Sequence, residues 1–289
     1  MKNNRRDFLK LTGRFALTAL AANKLTSCFD EAGNSKMIQT FGLQLYTLRD
    51  DMPKDPKGIL GQVASFGYKE IESYEGPQGM FWGMSNTDFK KFMDDLGMTV
   101  VASHCDMNKD FEKKTEEAAA IGMKYLICPW IGQQKTLDDY KKFADTFNQK
   151  GEVCKKNGIK FAYHNHDYSF VETEGQIPQD ILMNNTDASL VDFEMDIYWV
   201  VTGGQDPEAW LKKYPNRFRL SHIKDRIKGA EGKDASCILG DGSIDFSKVL
   251  KTAQENGMQY FIVEQERYDG TTPLKAIQAD ADYMKKLKI

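Results

Sequence analysis

The chain has only four histidines, and each closes a short apolar run. His104 ends TVVASH, His164 and His166 end FAYHNH, and His222 sits in FRLSHIKD. Two carboxylates occupy the same kind of position, Asp196 in LVDFEMDIYWV and Glu264 in YFIVEQE. Each run is rich in β-branched or aromatic residues and leads into a polar loop, the pattern of a buried strand reaching its end. Imidazoles and carboxylates gathered at successive strand ends suggest a metal-dependent active site.

The elements that must position these groups follow one punctuation: a helical run, a glycine, then a short apolar strand. Gly67, Gly97, Gly122, Gly158 and Gly257 stand where left-handed caps end helices. The pattern predicts strands over 41–47, 68–73, 99–104, 124–130, 159–165, 189–196, 218–224 and 260–265. Helices are expected over 55–66, 85–96, 110–121, 137–157, 206–214, 245–256 and 273–287, with a short one near 178–184. Alternating βα units of this number and length fit a single-domain α/β fold, the (β/α)8 TIM barrel. An open doubly wound sheet is the other reading, but no GxGxxG follows the first strand. Strand parity then places Asp192, Glu194 and Asp196 inside the barrel, with Val191, Phe193, Met195 and Ile197 against the helices. By the same count Ala162, His164 and His166 face in, as do His222 with Lys224 and Glu264 with Glu266.

Polar groups inside a barrel are costly unless paired or liganded. His164, Asp196, His222 and Glu264 form the expected ligand set for a hard or borderline divalent cation, with substrate contact as the alternative role of His164. His166 and His104 are placed around them as supporting or substrate contacts. Glu194 lies one inward step deeper than Asp196, and an ion pair with Lys224 or Lys160 is preferred for it over ligation. Tyr46, Phe81–Trp82, Trp130 and Tyr198–Trp199 are candidates for an aromatic sugar wall. Trp82 stands foremost because it lies in the glycine-rich stretch EGPQGMFWGM. GDGSIDF reads either as a phosphate cradle or, preferably, as a turn into a helix capped by Ser243 or Asp245.

A net charge of −3 gives no electrostatic footprint for nucleic acid, and no apolar run is long enough to span a membrane. Residues 1–28 resemble an export signal: Arg5-Arg6 opens a twin-arginine pattern, and Leu25-Thr26-Ser27-Cys28 resembles a lipobox with Cys28 as the lipidated residue. Residues 29–38 read as a tether and 39–289 as the barrel. The expected protein is exported to the periplasm or cell surface, touches the membrane only through Cys28, and is compatible with a homo-oligomer. No CxxC occurs among Cys105, Cys128, Cys154 and Cys237, so neither a zinc ribbon nor a redox pair is indicated; Cys105 and Cys128 are expected as small core residues.

Taken in order, GLQLYTLRD, HNHD, LVDFEMDIYWV, SHIKD, LGDGSIDF and IVEQE resemble the xylose isomerase-like barrels, the sugar phosphate isomerase/epimerase group that includes inosose dehydratases. The resemblance runs over residues 39–289 and implies one divalent metal ion (Mn, Co, Mg or Zn) held by Asp196, His222 and Glu264, with His164 where most relatives carry Glu. It implies acid–base roles for Glu264 and for His164 or His166, with Lys224 beside the developing enediolate. Gln44, His104, Glu194, Trp82, Trp130 and Trp199 fall among the implied substrate contacts. The expected reaction is isomerisation or epimerisation of an unphosphorylated sugar or keto-sugar. β-Elimination on a keto-sugar or 3-keto-glycoside is the alternative, and a non-catalytic carbohydrate-binding barrel the further one.

Overall fold

The computed structural model describes residues 37, 38 and 40–289; the expected export signal, Cys28 and most of the tether lie outside the described residues. The barrel strands are β1 Gly42–Gln44, β2 Glu70–Tyr74, β3 Thr99–His104, β4 Tyr125–Cys128, β5 Lys160–His164, β6 Val191–Asp196, β7 Phe218–Ile223 and, after a small β8–β9 ribbon, β10 Tyr260–Val263. They close in the order β1-β10-β7-β6-β5-β4-β3-β2, and every neighbouring pair is parallel. This is the expected TIM barrel. Met37 bridges Lys288 and Ile38 is buried, so both residues pack with the barrel.

The outer helices are α1 Pro56–Phe66, α2 Asn86–Asp95, α3 Phe111–Ala120, α4 Leu137–Lys156, α5 Pro178–Asn185, α6 Ile197–Thr202, α7 Pro207–Lys213, α8 Phe246–Glu255 and α9 Pro273–Met284. Side chains of Asp55, Ser85, Thr136, Asp245 and Thr272 accept backbone N–H groups in the first turns of α1, α2, α4, α8 and α9, meeting donors that a helix start leaves free. None of the helices among the described residues is long and apolar enough to cross a membrane. Cys105, Cys128 and Cys154 are buried free thiols, and Cys237 is half-buried and free.

Two departures from the sequence pattern shape the site. β1 ends at Gln44 because the Gln44 side chain accepts the Tyr46 N–H at 3.0 Å, turning the chain into a 3-10 helix over Leu45–Leu48. Likewise, α6 starts directly after β6. IYWVV is strand-like by propensity, but Asp196 Oδ1 accepts the Trp199 N–H at 3.0 Å and caps a helix there.

The β8–β9 ribbon, Asp225–Arg226 against Ser236–Cys237, forms in the loop after β7. The Asp225 carboxylate accepts N–H groups from Arg226, Gly240, Gly242 and Ile244 at 2.8–3.2 Å. The backbone donors that GDGSIDF would offer a phosphate are therefore already taken, and the stretch is a turn into α8, capped by Asp245. A Cβ at Gly242 would meet Asp225 Oδ1 at 2.2 Å, so the close approach requires glycine.

Candidate active site

Inside the barrel a small apolar plug contains Ala102, Tyr125, Ile127, Ala162, Leu220 and Ile262. Side chains alternate along a strand, so the next inward position after Ala102 is His104, after Ala162 His164, after Leu220 His222, and after Ile262 Glu264. The plug thus lies beneath four inward polar residues, all buried. Strand register sets His164 beside Glu194 and Asp196 beside His222.

Toward the mouth, an outer cluster surrounds Lys224, which is 1% exposed. Its ammonium lies 2.8 Å from Glu264 Oε2, 2.9 Å from Glu266 Oε2 and 2.9 Å from Asp196 Oδ2, the last without hydrogen-bond alignment. Burial alone would lower the Lys224 pKa, but the three carboxylates outweigh it and hold the group well above its usual value. Conversely, Lys224 and His222 overcome the burial of Glu264 and keep it well below the usual carboxylate range. His222 Nδ1 lies 3.1 Å from Glu264 Oε2 and 3.7 Å from Asp196 Oδ2. Asp196, His222 and Glu264 each offer a donor atom within 4.8 Å of the others. That spacing fits ligands with bonds of about 2.0–2.2 Å to one cation, and the unbonded Asp196 Oδ2 is a donor without a hydrogen to accept. These residues fit a divalent ion, although they share two oxygens with Lys224.

Below lies an inner cluster. Glu194 Oε2 meets His104 Nε2 at 2.8 Å, His164 Nδ1 at 3.0 Å and His222 Nε2 at 3.3 Å. Glu194 therefore pairs with histidines and not with Lys224 or Lys160; Lys160 instead reaches Asp192 at 3.1 Å. The second acid here, Glu72 on β2, did not stand out in the sequence. Its Oε1 accepts from Gln44 Nε2 at 2.6 Å and lies 2.8 Å from His222 Nε2 and 3.0 Å from His104 Nε2. The signal that could have found it is a glutamate at an inward position of a strand whose other face, Ile71 and Ser73, is buried. Burial and the nearby Glu72 charge raise Glu194 to about 8. Glu72 is itself held low despite burial, because His104 and His222 face it. His104 is raised to about 9, its burial outweighed by Glu72 and Glu194. His164 is pushed well below its usual value by burial and by the positive charge of its neighbours.

A cavity of about 310 Å³ opens over both clusters at the carboxyl ends of the strands. Its floor and sides include His104, His164, Lys224, Glu264 and Glu266, and its rim carries Tyr46, Trp130, His166 and Trp199. Trp130 is 57% exposed, and its ring meets His166 edge-on at 4.4 Å. Burial and the Lys224 charge push His166 down to about 3, and its Nδ1 has no partner. Other expected contacts do not line the cavity. Trp82 is buried, donating its ring N–H to Ser73 Oγ at 3.1 Å and packing on Tyr74. Gln44 is spent on Glu72 and Tyr46, and the Tyr198 hydroxyl holds the ribbon loop at the Ala235 N–H.

Comparison with known proteins agrees with this architecture. An inosose dehydratase of Clostridium perfringens is 33% identical over 145 residues, 45% of this chain and 48% of that protein, so the chain spans about half the length of such relatives. A barrel solved as the IOLI protein with a bound zinc atom shares the fold at TM-score 0.70 and 17% identity, covering 86% of this chain and 99% of that one. A sugar phosphate isomerase/epimerase from Parabacteroides distasonis ATCC 8503 is 30% identical at TM-score 0.73, covering 89% of this chain and 96% of that one. Residues 60–287 match the family described as xylose isomerase-like TIM barrel. By that match, and by a closed parallel barrel with its polar layer at the strand ends, the chain belongs to the xylose isomerase-like TIM barrel family.

Proposed function

We propose that the protein is a metal-dependent isomerase or epimerase that removes the proton next to a carbonyl of an unphosphorylated sugar or keto-sugar. The observation that carries this reading is the cavity, in which Glu264, His166 and Lys224 meet under the rings of Tyr46, Trp130 and Trp199. Its lysine is already matched by three carboxylates, which leaves no free ammonium for a phosphate and supports an unphosphorylated substrate. A divalent ion on Asp196, His222 and Glu264 would act as a Lewis acid toward the carbonyl. Glu264, ionised throughout the working range, accepts the proton and returns it to the neighbouring carbon in isomerisation, while epimerisation takes a proton on the opposite face of the same carbon. Lys224 keeps its charge beside the oxygen that becomes negative. Both nitrogens of His164 face carboxylates, Glu194 at 3.0 Å and Asp196 at 3.8 Å, so the second acid–base position falls to His166 with its unpartnered Nδ1. Export and anchoring through Cys28 belong to the same reading, since that location meets free sugars.

A second reading, β-elimination, is favoured by the similarity to an inosose dehydratase. It uses the same proton abstraction, followed by loss of a β-leaving group. Incubation with keto-sugars in D2O separates the two. Deuterium at the carbon next to the carbonyl marks isomerisation, and a new conjugated enone marks elimination. Glu264→Gln should lower either rate by about 10²–10⁴-fold. Turnover of a sugar phosphate with no reaction on free sugars would overturn the substrate class. No proton exchange on any of them would leave a carbohydrate-binding barrel.

A further inference from the structure

The inner cluster has features that the proposed reaction does not use. Glu72 and Glu194 are both fully buried, and among the described residues neither pairs with a lysine or arginine; histidines face them, with the Gln44 amide also on Glu72. Each carboxylate crowds one oxygen with ring nitrogens and leaves the other bare. Glu194 Oε2 has three imidazoles within 3.3 Å while Glu194 Oε1 has no partner, and Glu72 Oε2 is bare as well. A network built to satisfy hydrogen bonds spreads donors over both oxygens, because an orphaned buried oxygen is costly. The four donor atoms of His104, His164, Glu194 and His222 all lie within 4.8 Å of one another, close enough to serve as ligands about one cation.

We propose that the barrel contains a second, inner cation site formed by His104 Nε2, His164 Nδ1, Glu194 Oε2 and His222 Nε2, taking a zinc-class ion such as Zn(II) or Co(II). Three imidazoles and one carboxylate suit these borderline ions and disfavour Mg(II), whereas the outer set, with two carboxylates and one imidazole, is oxygen-rich. Glu72 Oε1 lies 3.0 Å from His104 Nε2 and 2.8 Å from His222 Nε2, so with an ion on those nitrogens it faces the cation directly and adds negative charge beside it. His222 links the two sites through its opposite ring nitrogens. An inner ion on Nε2 leaves the Nδ1–H to Glu264 Oε2 at 3.1 Å, while an outer ion on Nδ1 leaves the Nε2–H to Glu72 Oε1 at 2.8 Å. A neutral His222 therefore serves one ion at a time. Below one equivalent the inner site fills first because no ammonium competes for its oxygens, and an outer ion bound at the same time keeps Asp196 and Glu264 as its protein ligands.

The test loads metal-stripped protein with less than one equivalent of Zn(II) and counts imidazole ligands by X-ray absorption. Three imidazoles are expected; two or fewer overturn the inner site. Titration of variants gives a second reading. Zn(II) binding should survive Glu264→Gln and weaken at least about 100-fold in Glu194→Gln, with circular dichroism checking that both variants fold. The opposite pattern, binding lost in Glu264→Gln and kept in Glu194→Gln, overturns the inner site and leaves the proposed reaction with its outer ion. Absence of any bound ion in the wild type overturns both the inner site and the Lewis-acid part of that reaction.

Discussion

The two polar clusters stacked in this barrel hold similar carboxylates by different means. The outer one carries its own cation: Lys224 stands within 2.9 Å of Asp196, Glu264 and Glu266. The inner one has no lysine or arginine on its acids among the described residues and faces Glu72 and Glu194 with His104, His164 and His222. A lysine charge is fixed across the working pH range, whereas imidazole charge depends on protons or on a ligated ion. The comparison teaches that burial alone does not decide how a carboxylate behaves. Glu264 is kept low by a permanent charge, and Glu194 is raised to about 8 where none is present.

Removing the fixed cation should have the largest effect. Lys224→Met leaves Asp196 and Glu264 buried without their partner and should cost about 3–5 kcal/mol in chemical denaturation of the metal-free protein. Added Mn(II) or Zn(II) should restore part of the loss. An undiminished stability would mean that the ammonium is not what holds the outer acids.

Within the inner cluster the two acids should respond unequally. Glu72 is ionised between His104 and His222, so Glu72→Gln should cost about 3–5 kcal/mol. Glu194 is already close to neutral near pH 7 without metal, so Glu194→Gln should cost only about 1 kcal/mol. Equal losses would erase the distinction.

Metal-free stability should also fall as pH rises. Glu194, His104 and His222 hold protons more tightly in the fold than in the unfolded chain and make the slope negative. His164 and His166, held low in the fold, oppose them until the unfolded imidazoles lose their protons around 6.5. The Glu194 share is full below about 4.5 and fades toward about 8; that of His104 is full below 6.5 and is lost through about 9. Melting curves between pH 6 and pH 9 measure this directly, and a flat profile would contradict it. Smallest of all, Trp130→Ala at the exposed rim should leave stability within about 0.5 kcal/mol. It should raise KM for the sugar about 2–10-fold, the worth of a ring contact of about 0.5–1.5 kcal/mol.

The fold was legible because a βα unit announces itself locally. The five punctuating glycines all take positive φ, 67–102°, at helix ends, and strand parity placed His164, His222 and Glu264 inward without any tertiary information. Local pattern misled where a side chain captured the backbone, as Asp196 does in starting α6 and Gln44 in ending β1. It also misled for Trp82, whose glycine-rich surroundings suggest an open loop although its ring is packed against Tyr74.

Sequence alone determined the alternation of elements, the closed barrel that follows from it, and which side chains face inward, since these depend on periods of 2 and 3.6 residues along the chain. Only the tertiary structure decided which inward groups meet. Glu72 lies far from His222 in the chain yet meets its Nε2 at 2.8 Å while accepting from Gln44 at 2.6 Å, because barrel closure brings β1 and β2 round to face β7. The division into a lysine-held outer cluster and a histidine-held inner one is a matter of depth along the barrel axis. Depth depends on strand stagger and on the register shift between Phe193 and Glu194, which no one-dimensional pattern records.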